Sequence, residues 1–265
     1  MNTPRRSCSA WLLPFFFLPF HAGAWGLLGH RIVGGIADTW LTPKARVEIQ
    51  KILGTETLAM TSNWADFIKS EPSYSYLSPW HYVDMRDSLS YPDVQAYFKT
   101  DTATDAYTKI NFLVRELKNK KLPKDKQLFY LRLLVHIVGD IHQPLHVGRP
   151  EDQGGNTIKV QWFNEPANLH NVWDEKLIGH QLLSYTEYIA AINHVSPAQR
   201  LSWQKQPLSE WIFESYTISR QLYREINEPG QKLGYRYNFD HLATLNEQLL
   251  KAGVRLAGLL NEIFG

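Results

Sequence analysis

The sequence predicts a mainly α-helical domain that contains one short β-hairpin. Beyond residue 24, apolar residues recur at three- and four-residue spacing over most of the chain, which is the period of an amphipathic helix. Only TIKVQWF, residues 157–163, alternates apolar and polar side chains as a strand does, and we take it as half of the hairpin. Residues 25–265 have a length that suits a single domain with a sizeable core.

Each predicted helix follows from its apolar period and from the signals at its ends. Thr42 and Pro43 mark one start, because threonine is a good N-cap and proline suits the first helical turn. Residues 125–141 are apolar nearly all round, which is typical of a buried central helix. The stretches 70–93 and 147–156 are predicted as loops from their Ser, Pro, Tyr and Gly content. The predicted helices span residues 30–41, 43–53, 103–119, 125–141, 207–227 and 238–263.

The first 24 residues have the features of a secretory signal peptide. Two arginines precede the apolar run WLLPFFFLPF, and the small residues AGA form a cleavage site between Ala24 and Trp25. The run is too short to cross a bilayer, and no later stretch approaches that length, so no membrane anchor is expected. The chain has no Asn-x-Ser/Thr sequon, which favours a bacterial source and a secreted or periplasmic location.

Composition after this cleavage excludes several classes of protein. Cys8 lies in the signal peptide, so the mature chain is predicted to have no disulfide and no thiol nucleophile or thiolate ligand. The formal charge falls from +2 to about zero, because the removed segment holds two arginines and no acidic residue. Proteins that hold duplex DNA through many phosphates usually have a basic excess, so nucleic-acid binding here must rest on something other than bulk charge.

Histidine and aspartate recur at the spacing of metal ligands. In VHIVGDIHQPLH, residues 135–146, His136 and Asp140 share one helix face, and two further histidines follow. Such groups in an apolar helix cost free energy unless they are paired or metal-bound. LHNVWD repeats the i, i+4 spacing, although a hydrogen bond along a helix face would also explain that pair alone. Segments NWADFIK and PWHYVD add further candidates, and one multinuclear site explains all of them together. Imidazole and carboxylate without thiolate favour zinc over manganese or iron.

Together with Trp-x4-His at residues 25–30, these motifs resemble the S1/P1 nuclease family, which is related to the zinc phospholipases C. The resemblance covers nearly all of residues 25–265 and implies a helical fold of that type with three zinc ions per chain. In that family the mature N-terminal tryptophan binds zinc through its amine nitrogen and carbonyl oxygen. The implied ligands are Asp66, His81, His136 and Asp140 for the first zinc, His146, His170 and Asp174 for the second, and Trp25, His30 and the shared Asp140 for the third.

The resemblance also implies roles for residues that are not ligands. Asp84 corresponds to the catalytic aspartate beside the attacking water, and Lys69 to a basic residue near the phosphate. His142 is not a ligand in the family pattern, and we expect it to orient ligands from behind. A helix-capping carboxylate and a solvated lysine are the alternative interpretations of Asp84 and Lys69.

Base recognition is predicted from fewer signals. Tyr82 follows a predicted ligand, and an aromatic residue there matches the family's base-stacking position. Asn156, beside a glycine pair, is a further candidate for substrate binding. Glu175 takes the place of an asparagine that plant relatives often use for the base, so base preference is expected to differ.

The implied function is hydrolysis of single-stranded DNA and RNA to 5′-phosphate products by a monomer, with removal of 3′-phosphates from nucleotides as a further activity. A water between the first two zinc ions would attack phosphorus, Asp84 would orient it or accept its proton, and the third zinc would stabilise the departing 3′ oxygen. Two alternatives stay open, a zinc phospholipase C and an exported zinc-binding protein without catalysis. The binding protein would need the ligands but neither Asp84 nor Lys69.

Overall fold

A computed structural model describes residues 25–265, and the predicted signal peptide lies outside the described residues. The described chain is mainly α-helical, which confirms the predicted fold class. The α-helices are α1 (Leu27–Thr39), α2 (Pro43–Leu53), α3 (Leu58–Thr61), α4 (Trp64–Phe67), α5 (Tyr91–Thr100), α6 (Ala106–Leu117), α7 (Lys124–Asp140), α8 (Leu169–Asn171), α9 (Leu177–His180), α10 (Tyr185–Ile192), α11 (Pro197–Lys205), α12 (Leu208–Glu225) and α13 (Tyr235–Phe264).

Several 3₁₀ helices and a π-helix complete the helical part of the fold. A five-residue π-helix, Val172–Lys176, directly follows α8. The 3₁₀ helices are Ile68–Ser70, Pro72–His81, Pro144–Val147 and Pro150–Asp152.

One small sheet holds the predicted hairpin. Strands β1 (Lys159–Trp162) and β2 (Glu165–Asn168) pair antiparallel, with Val160 opposite Ala167, which confirms the predicted strand and hairpin. A third strand, β3 (Gln231–Leu233), pairs parallel to β1. The sequence predicts no strand there, because three residues are too few to show an alternating pattern.

The six predicted helices are all present with ends shifted by a few residues, but the loop prediction for 70–93 is wrong over much of that stretch. A 3₁₀ helix covers Pro72–His81, and α5 begins at Tyr91. A 3₁₀ helix has three residues per turn, so the α-helical period used for prediction does not detect it. The segment 147–156 is irregular apart from one 3₁₀ turn. Helices also lie where none is predicted, in α3, α4, α5, α8, α9, α10 and α11.

The central helix and the two longest neighbours position the site. Every residue of α7 from Leu133 to Asp140 is buried, as its apolar sequence predicts. α1 packs closely against α13, and Gly253 permits this approach, because a Cβ there would lie 2.5 Å from the Ile36 side chain. Among residues 25–265, no helix is both long enough and apolar enough to span a membrane.

Candidate metal centre

Five His and Asp side chains from four elements meet at the carboxyl end of α7. This helix places His136 and Asp140 one turn apart on one face, and both are completely buried. The other three come from α1, α4 and the end of the 3₁₀ helix Pro72–His81. We name this group the first cluster, and it consists of His30, Asp66, His81, His136 and Asp140.

Asp140 lies at the middle of the first cluster. Its Oδ2 lies 2.8 Å from Nδ1 of His81 and 3.3 Å from Nε2 of His136. Its Oδ1 lies 3.3 Å from Nε2 of His30. The carboxylate of Asp66 lies 3.7 Å from Nε2 of His136 and 3.9 Å from Nε2 of His30. Three imidazoles and two carboxylates therefore direct their free atoms into one small volume.

A second cluster adjoins the first and is built from short helical turns. His170 belongs to α8 and Asp174 to the π-helix that follows, and Nε2 of His170 lies 3.1 Å from Oδ2 of Asp174. His146 comes from the 3₁₀ helix Pro144–Val147, with Nε2 3.9 Å from Oδ1 of Asp174. All three side chains are buried, and they form the group we name the second cluster, His146, His170 and Asp174.

Main-chain carbonyl oxygens fix the orientation of three of these rings. Each ring has its Nδ1 2.6–2.7 Å from a carbonyl oxygen, which only an Nδ1–H can satisfy. The lone pair is then on Nε2, the nitrogen that faces the cluster. The fold therefore selects the tautomer that a metal ligand needs. The pairs are His136 with Ser62, His146 with His81, and His170 with Gly154.

Trp25, the residue predicted to begin the mature chain, lies against the first cluster. Its side chain is fully buried, and its indole N–H donates to the carbonyl oxygen of Gly139 over 2.8 Å. His30 packs against the same glycine, since a Cβ on Gly139 would lie 3.0 Å from Nδ1 of His30. The structure thus brings Trp25, His30 and Asp140 together.

Burial dominates the electrostatics of both clusters. It raises the pKa of Asp140 to about 8, against the opposing influence of His136. It lowers the pKa of His30 and of His136 to about 4, so both rings are neutral near pH 7. In the second cluster, burial raises the pKa of Asp174 to about 6. The Asp174 carboxylate outweighs burial at His170 and holds the pKa of that ring above its ordinary value.

This donor set fits metal ions. Nε2 of His30, Nε2 of His146 and Oδ1 of Asp140 are buried, and none has a hydrogen-bond partner among the described residues. Buried polar atoms of this kind cost free energy unless a cation or a donor pairs with them. Bonds of about 2.0–2.2 Å to a tetrahedral zinc place the ligand atoms roughly 3.3–3.6 Å apart. The ligand atoms within each His/Asp group lie within 4.8 Å of one another, which is compatible with that spacing.

A cleft of about 550 Å³ opens onto both clusters. His81, His146 and His170 lie in its wall. Four residues predicted to act in catalysis or substrate binding also line the cleft: Lys69, Tyr82, Asp84 and Asn156.

These lining residues are partly open to solvent. Lys69 places Nζ 2.6 Å from Oδ1 of Asp66, and 28% of its side chain is exposed. Tyr82 is 38% exposed, so one part of its ring is available for contact. Burial and the nearby carboxylate of Glu151 raise the pKa of Asp84 above its ordinary value. A cation, an aromatic ring and a carboxylate therefore share the cleft with the two clusters.

Comparison with known proteins agrees with this geometry. The family profile described as S1/P1 Nuclease matches residues 25–265. The chain belongs to the S1/P1 nuclease family. It is 34% identical to nuclease S1 of Aspergillus oryzae over 90% of this chain and 91% of that protein. It is 32% identical to endonuclease 3 of Arabidopsis thaliana, over 91% and 89%, and 27% identical to nuclease P1 of Penicillium citrinum, over 91% and 98%. The protein is therefore a nuclease that acts on nucleic acids.

Two predicted residues of this nuclease lie away from the cleft. Glu175 is exposed, accepts a hydrogen bond from Nδ2 of Asn171 over 3.1 Å and packs on Gly26. It does not line the cleft, and its role in base recognition stays a prediction. His142 is buried, with Nδ1 2.8 Å from the carbonyl oxygen of Val138 and Nε2 3.0 Å from Arg255. Neither ring nitrogen of His142 contacts a predicted ligand.

The residue next to it, Gln143, contacts a ligand directly. Its Nε2 donates to Oδ1 of Asp174 over 2.6 Å, and its Oε1 accepts from the backbone N–H of Leu145 over 2.6 Å. Sequence reasoning missed Gln143, because nothing in its spacing shows that residues 143 and 174 meet. Its position between two histidines and before a proline is the only local signal.

Proposed function

We propose that this nuclease is a zinc-dependent endonuclease that hydrolyses single-stranded DNA and RNA to 5′-phosphate products, and that it also removes 3′-phosphates from nucleotides. The observation that carries the proposal is the pair of buried His/Asp clusters that meet at one end of a cleft large enough for a nucleotide. The donors are those that zinc accepts, and the family is one of nucleases.

The proposed ligand sets follow from which atoms lie together. The groups His81, His136 and Asp140, and His30, Asp66 and His136, share His136, whose one free ring nitrogen can serve a single ion. The first cluster nevertheless holds five His and Asp side chains, which is more than one four-coordinate zinc takes, so we assign two ions to it. The second cluster offers donors for one more ion. Zinc, when bound, supplies Lewis-acid activation of water and charge neutralisation at the phosphate. We assign Trp25, with its backbone amine and carbonyl, to the ion beside His30 and Asp140.

The chain's own side chains then perform three tasks. Asp84 lies in the cleft wall with a raised pKa, and we assign it to orienting the attacking water and accepting its proton. Lys69 contacts Asp66 and also lines the cleft. We assign its positive charge to pairing with a phosphate oxygen of the substrate. Tyr82 and Asn156 receive the base, the first by stacking and the second by hydrogen bonding.

Preference for single strands follows from the proposed role of Tyr82. A base stacks on an exposed tyrosine only when its face is free of a neighbouring base, which an unpaired strand permits more readily than a duplex. The near-zero formal charge of residues 25–265 is compatible with this binding mode, because the metal ions and Lys69 supply the local positive charge.

We also propose that the protein acts as a secreted or periplasmic monomer after cleavage between Ala24 and Trp25. The burial of Trp25 beside His30 and Gly139 supports the cleavage site, because a free amine at residue 25 would arise next to the first cluster. Mass spectrometry of the exported protein should give an N-terminal peptide that starts at Trp25. A mature chain that starts elsewhere would contradict the assignment of its amine.

The test combines zinc analysis of the signal-cleaved protein with digestion of single-stranded DNA before and after chelation. We expect about three zinc ions per chain and cutting that stops with chelator and returns with added zinc. Three zinc ions without cutting of DNA or RNA would overturn the proposed substrate and direct the search to phospholipids. Fewer than two tightly bound ions would overturn the metal assignment.

Asp84→Ala separates catalysis from metal binding. We expect a loss of kcat of about 10²–10⁴-fold, the usual contribution of a general base, with zinc content unchanged. Asp240→Ala, the same change at an exposed position outside the cleft wall, is the control and should keep full activity. Full activity of Asp84→Ala would show that the attacking water is activated without this carboxylate.

A further inference from the structure

Positive charge is concentrated in the loop between α6 and α7 and in the first turn of α7. The segment KNKKLPKDK, residues 118–126, holds five lysines and one aspartate and so carries +4. Residues 25–265 hold 26 Lys and Arg, after the two arginines of the first 24 residues are subtracted from 28, against 26 Asp and Glu. The rest of the described chain therefore has a formal charge of −4, so the charge of residues 118–126 is opposite in sign to that of the remainder.

α6 continues this positive surface with cations that lie over aromatic rings. Nζ of Lys109 lies 4.8 Å from the ring centre of Trp80 and 5.7 Å from that of Phe112. The guanidinium of Arg115 lies 5.5 Å from the ring centre of Phe112. Beside them Tyr76 packs edge-on against Trp80, and 54% of Tyr76 is exposed. Trp80 is buried and Phe112 is partly buried, so Tyr76 is the exposed ring of this group. An exposed ring beside cations is a combination with which proteins hold unpaired nucleic-acid strands.

Several of these cations have no acidic partner. Within the described part of the chain, no ion pair involves Lys109, Lys120 or Lys121. Arg115 has only the adjacent Glu116, at 3.6 Å, and most of the Arg115 side chain is exposed. Lys118 pairs with Glu262, so its charge is already compensated within the protein. Cations without an acidic partner are the ones that can pair with a phosphate at least cost.

This surface starts at the cleft. The 3₁₀ helix Pro72–His81 lines the cleft with Tyr74, Ser75 and Ser78, and it carries Tyr76 and Trp80 toward α6. The first residue of α6 donates its backbone N–H to the carbonyl oxygen of Tyr82 over 3.0 Å, so the helix begins at the cleft rim. Its 12 residues extend about 18 Å from there to the lysine loop.

We propose that this surface binds the single strand where it leaves the cleft. We name it the α6 track and define it by Tyr76, Lys109, Arg115, Lys120 and Lys121. About 18 Å corresponds to roughly five nucleotides at 3.4 Å per nucleotide. Its ligand is the phosphate backbone and one or two unpaired bases of DNA or RNA. The proposal rests on the proposed function, and it predicts that long strands bind more tightly than dinucleotides at the same catalytic centre.

The experiment compares a 20-residue oligothymidylate with the dinucleotide TpT as substrates of the zinc-loaded mature enzyme. The track variant replaces Lys109, Arg115, Lys120 and Lys121 with alanine. The control variant removes the same number and type of cations elsewhere, at Lys51, Lys205, Arg224 and Lys232, which are exposed. KM and kcat are measured between about 50 and 200 mM salt, the range in which phosphate contacts show their salt dependence.

We expect the track variant to raise KM for the 20-mer about tenfold at low salt and to reduce its salt slope by up to roughly 2.8, at about 0.7 per phosphate contact. Its kcat/KM for TpT should match the wild type, and the control variant should be unchanged for both substrates. Tyr76→Ala should raise KM for the 20-mer, whereas Tyr235→Ala, which changes a 76% exposed tyrosine that packs on Phe163, should not. Equal effects of the track and control variants would overturn the proposal.

Anisotropy of a labelled 20-mer provides a readout that does not need cleavage. If the wild type cuts neither substrate, the proposed function fails, and the anisotropy of the same variants still tests the track. If the wild type cuts both substrates but the track variant behaves like the control, only the track is wrong. If the fourfold variant does not fold, the exposed double change Lys120→Ala and Lys121→Ala replaces it, with half the expected change in slope.

Discussion

The nuclease uses the sequence His-x3-Asp twice, and the two copies lie in different surroundings. His136 and Asp140 belong to a 17-residue α-helix, and their nearest ring and carboxylate atoms are 3.3 Å apart. His170 and Asp174 cross from a short α-helix into a π-helix, yet the corresponding distance is 3.1 Å. The shared spacing fixes the pair geometry, and the neighbours of each pair decide its charge.

The neighbours differ in number and kind. Burial raises the pKa of Asp140 to about 8 even though this carboxyl faces three imidazoles, and the nearby carboxyls of Asp66 and Asp174 add to the rise. Asp174 faces His146 and His170 and also accepts a hydrogen bond from Gln143, and its pKa rises only to about 6. The charged carboxylate of Asp140 therefore needs nearby cations to be stable. The charged carboxylate of Asp174 is stabilised in part by a hydrogen bond from a neutral side chain, Gln143.

The largest difference between the two pairs should come from removing each carboxylate charge. We expect Asp140→Asn to lose two of the three zinc ions and Asp174→Asn to lose one, because Asp140 is near three rings and Asp174 near two. The metal ions lower the activation free energy by several kcal/mol, so their loss should reduce kcat/KM of Asp140→Asn by at least about 10³-fold. Metal analysis after gel filtration and a nuclease assay measure both effects. Equal metal loss in the two variants would show that the pairs are equivalent.

The next effect concerns the hydrogen bond that only the second pair has. Gln143→Ala should weaken zinc binding at the second cluster by about 10–100-fold, because the donor that fixes Oδ1 of Asp174 is lost. Binding at the first cluster should be unchanged. Chelator competition on the fully loaded enzyme resolves the most weakly held ion. Gln153→Ala, which alters an exposed residue of the same cleft, is the control. Weakening of all ions to the same extent would contradict a local role.

The smallest effects concern the residue just before each aspartate. In the first pair it is Gly139, where a Cβ would lie 3.0 Å from His30, so Gly139→Ala should cost about 1–3 kcal/mol of unfolding free energy through overpacking. In the second it is Trp173, whose indole N–H donates to Tyr237 Oη over 3.0 Å. Tyr237→Phe removes that bond without a change in ring size, at a cost of about 1 kcal/mol. Urea unfolding of the metal-loaded protein measures the loss of unfolding free energy in each variant. A smaller loss in Gly139→Ala than in the second variant would show that His30 has room to move.

The sequence predicts α7 and the placement of the His/Asp pairs because helical spacing is a local property. His136 and Asp140 must share a face wherever the helix forms, and the apolar residues around them show that the helix is central. Helices α1 and α13 are predictable for the same reason. The β-hairpin is predictable from a single alternating segment, since the partner strand needs only a short turn.

Features that depend on long-range packing are not predictable in this way. The contact between Gln143 and Asp174 exists because a 3₁₀ turn and a π-helix meet, and neither has a period that a pattern search detects. The position of Glu175 outside the cleft depends on how the segment after α8 turns toward Gly26. The lysines of residues 118–126 are visible in the sequence, but their relation to the cleft requires the path of α6.

The burial of Trp25 has a practical consequence for producing this protein in another host. An affinity tag fused ahead of residue 25 would have to emerge from a point that is packed against Gly139 and lies beside His30. Gly265, at the opposite terminus, is exposed, and its carbonyl oxygen accepts a hydrogen bond from Lys44 on the surface. A tag attached after Gly265 therefore avoids the packed residues around Trp25.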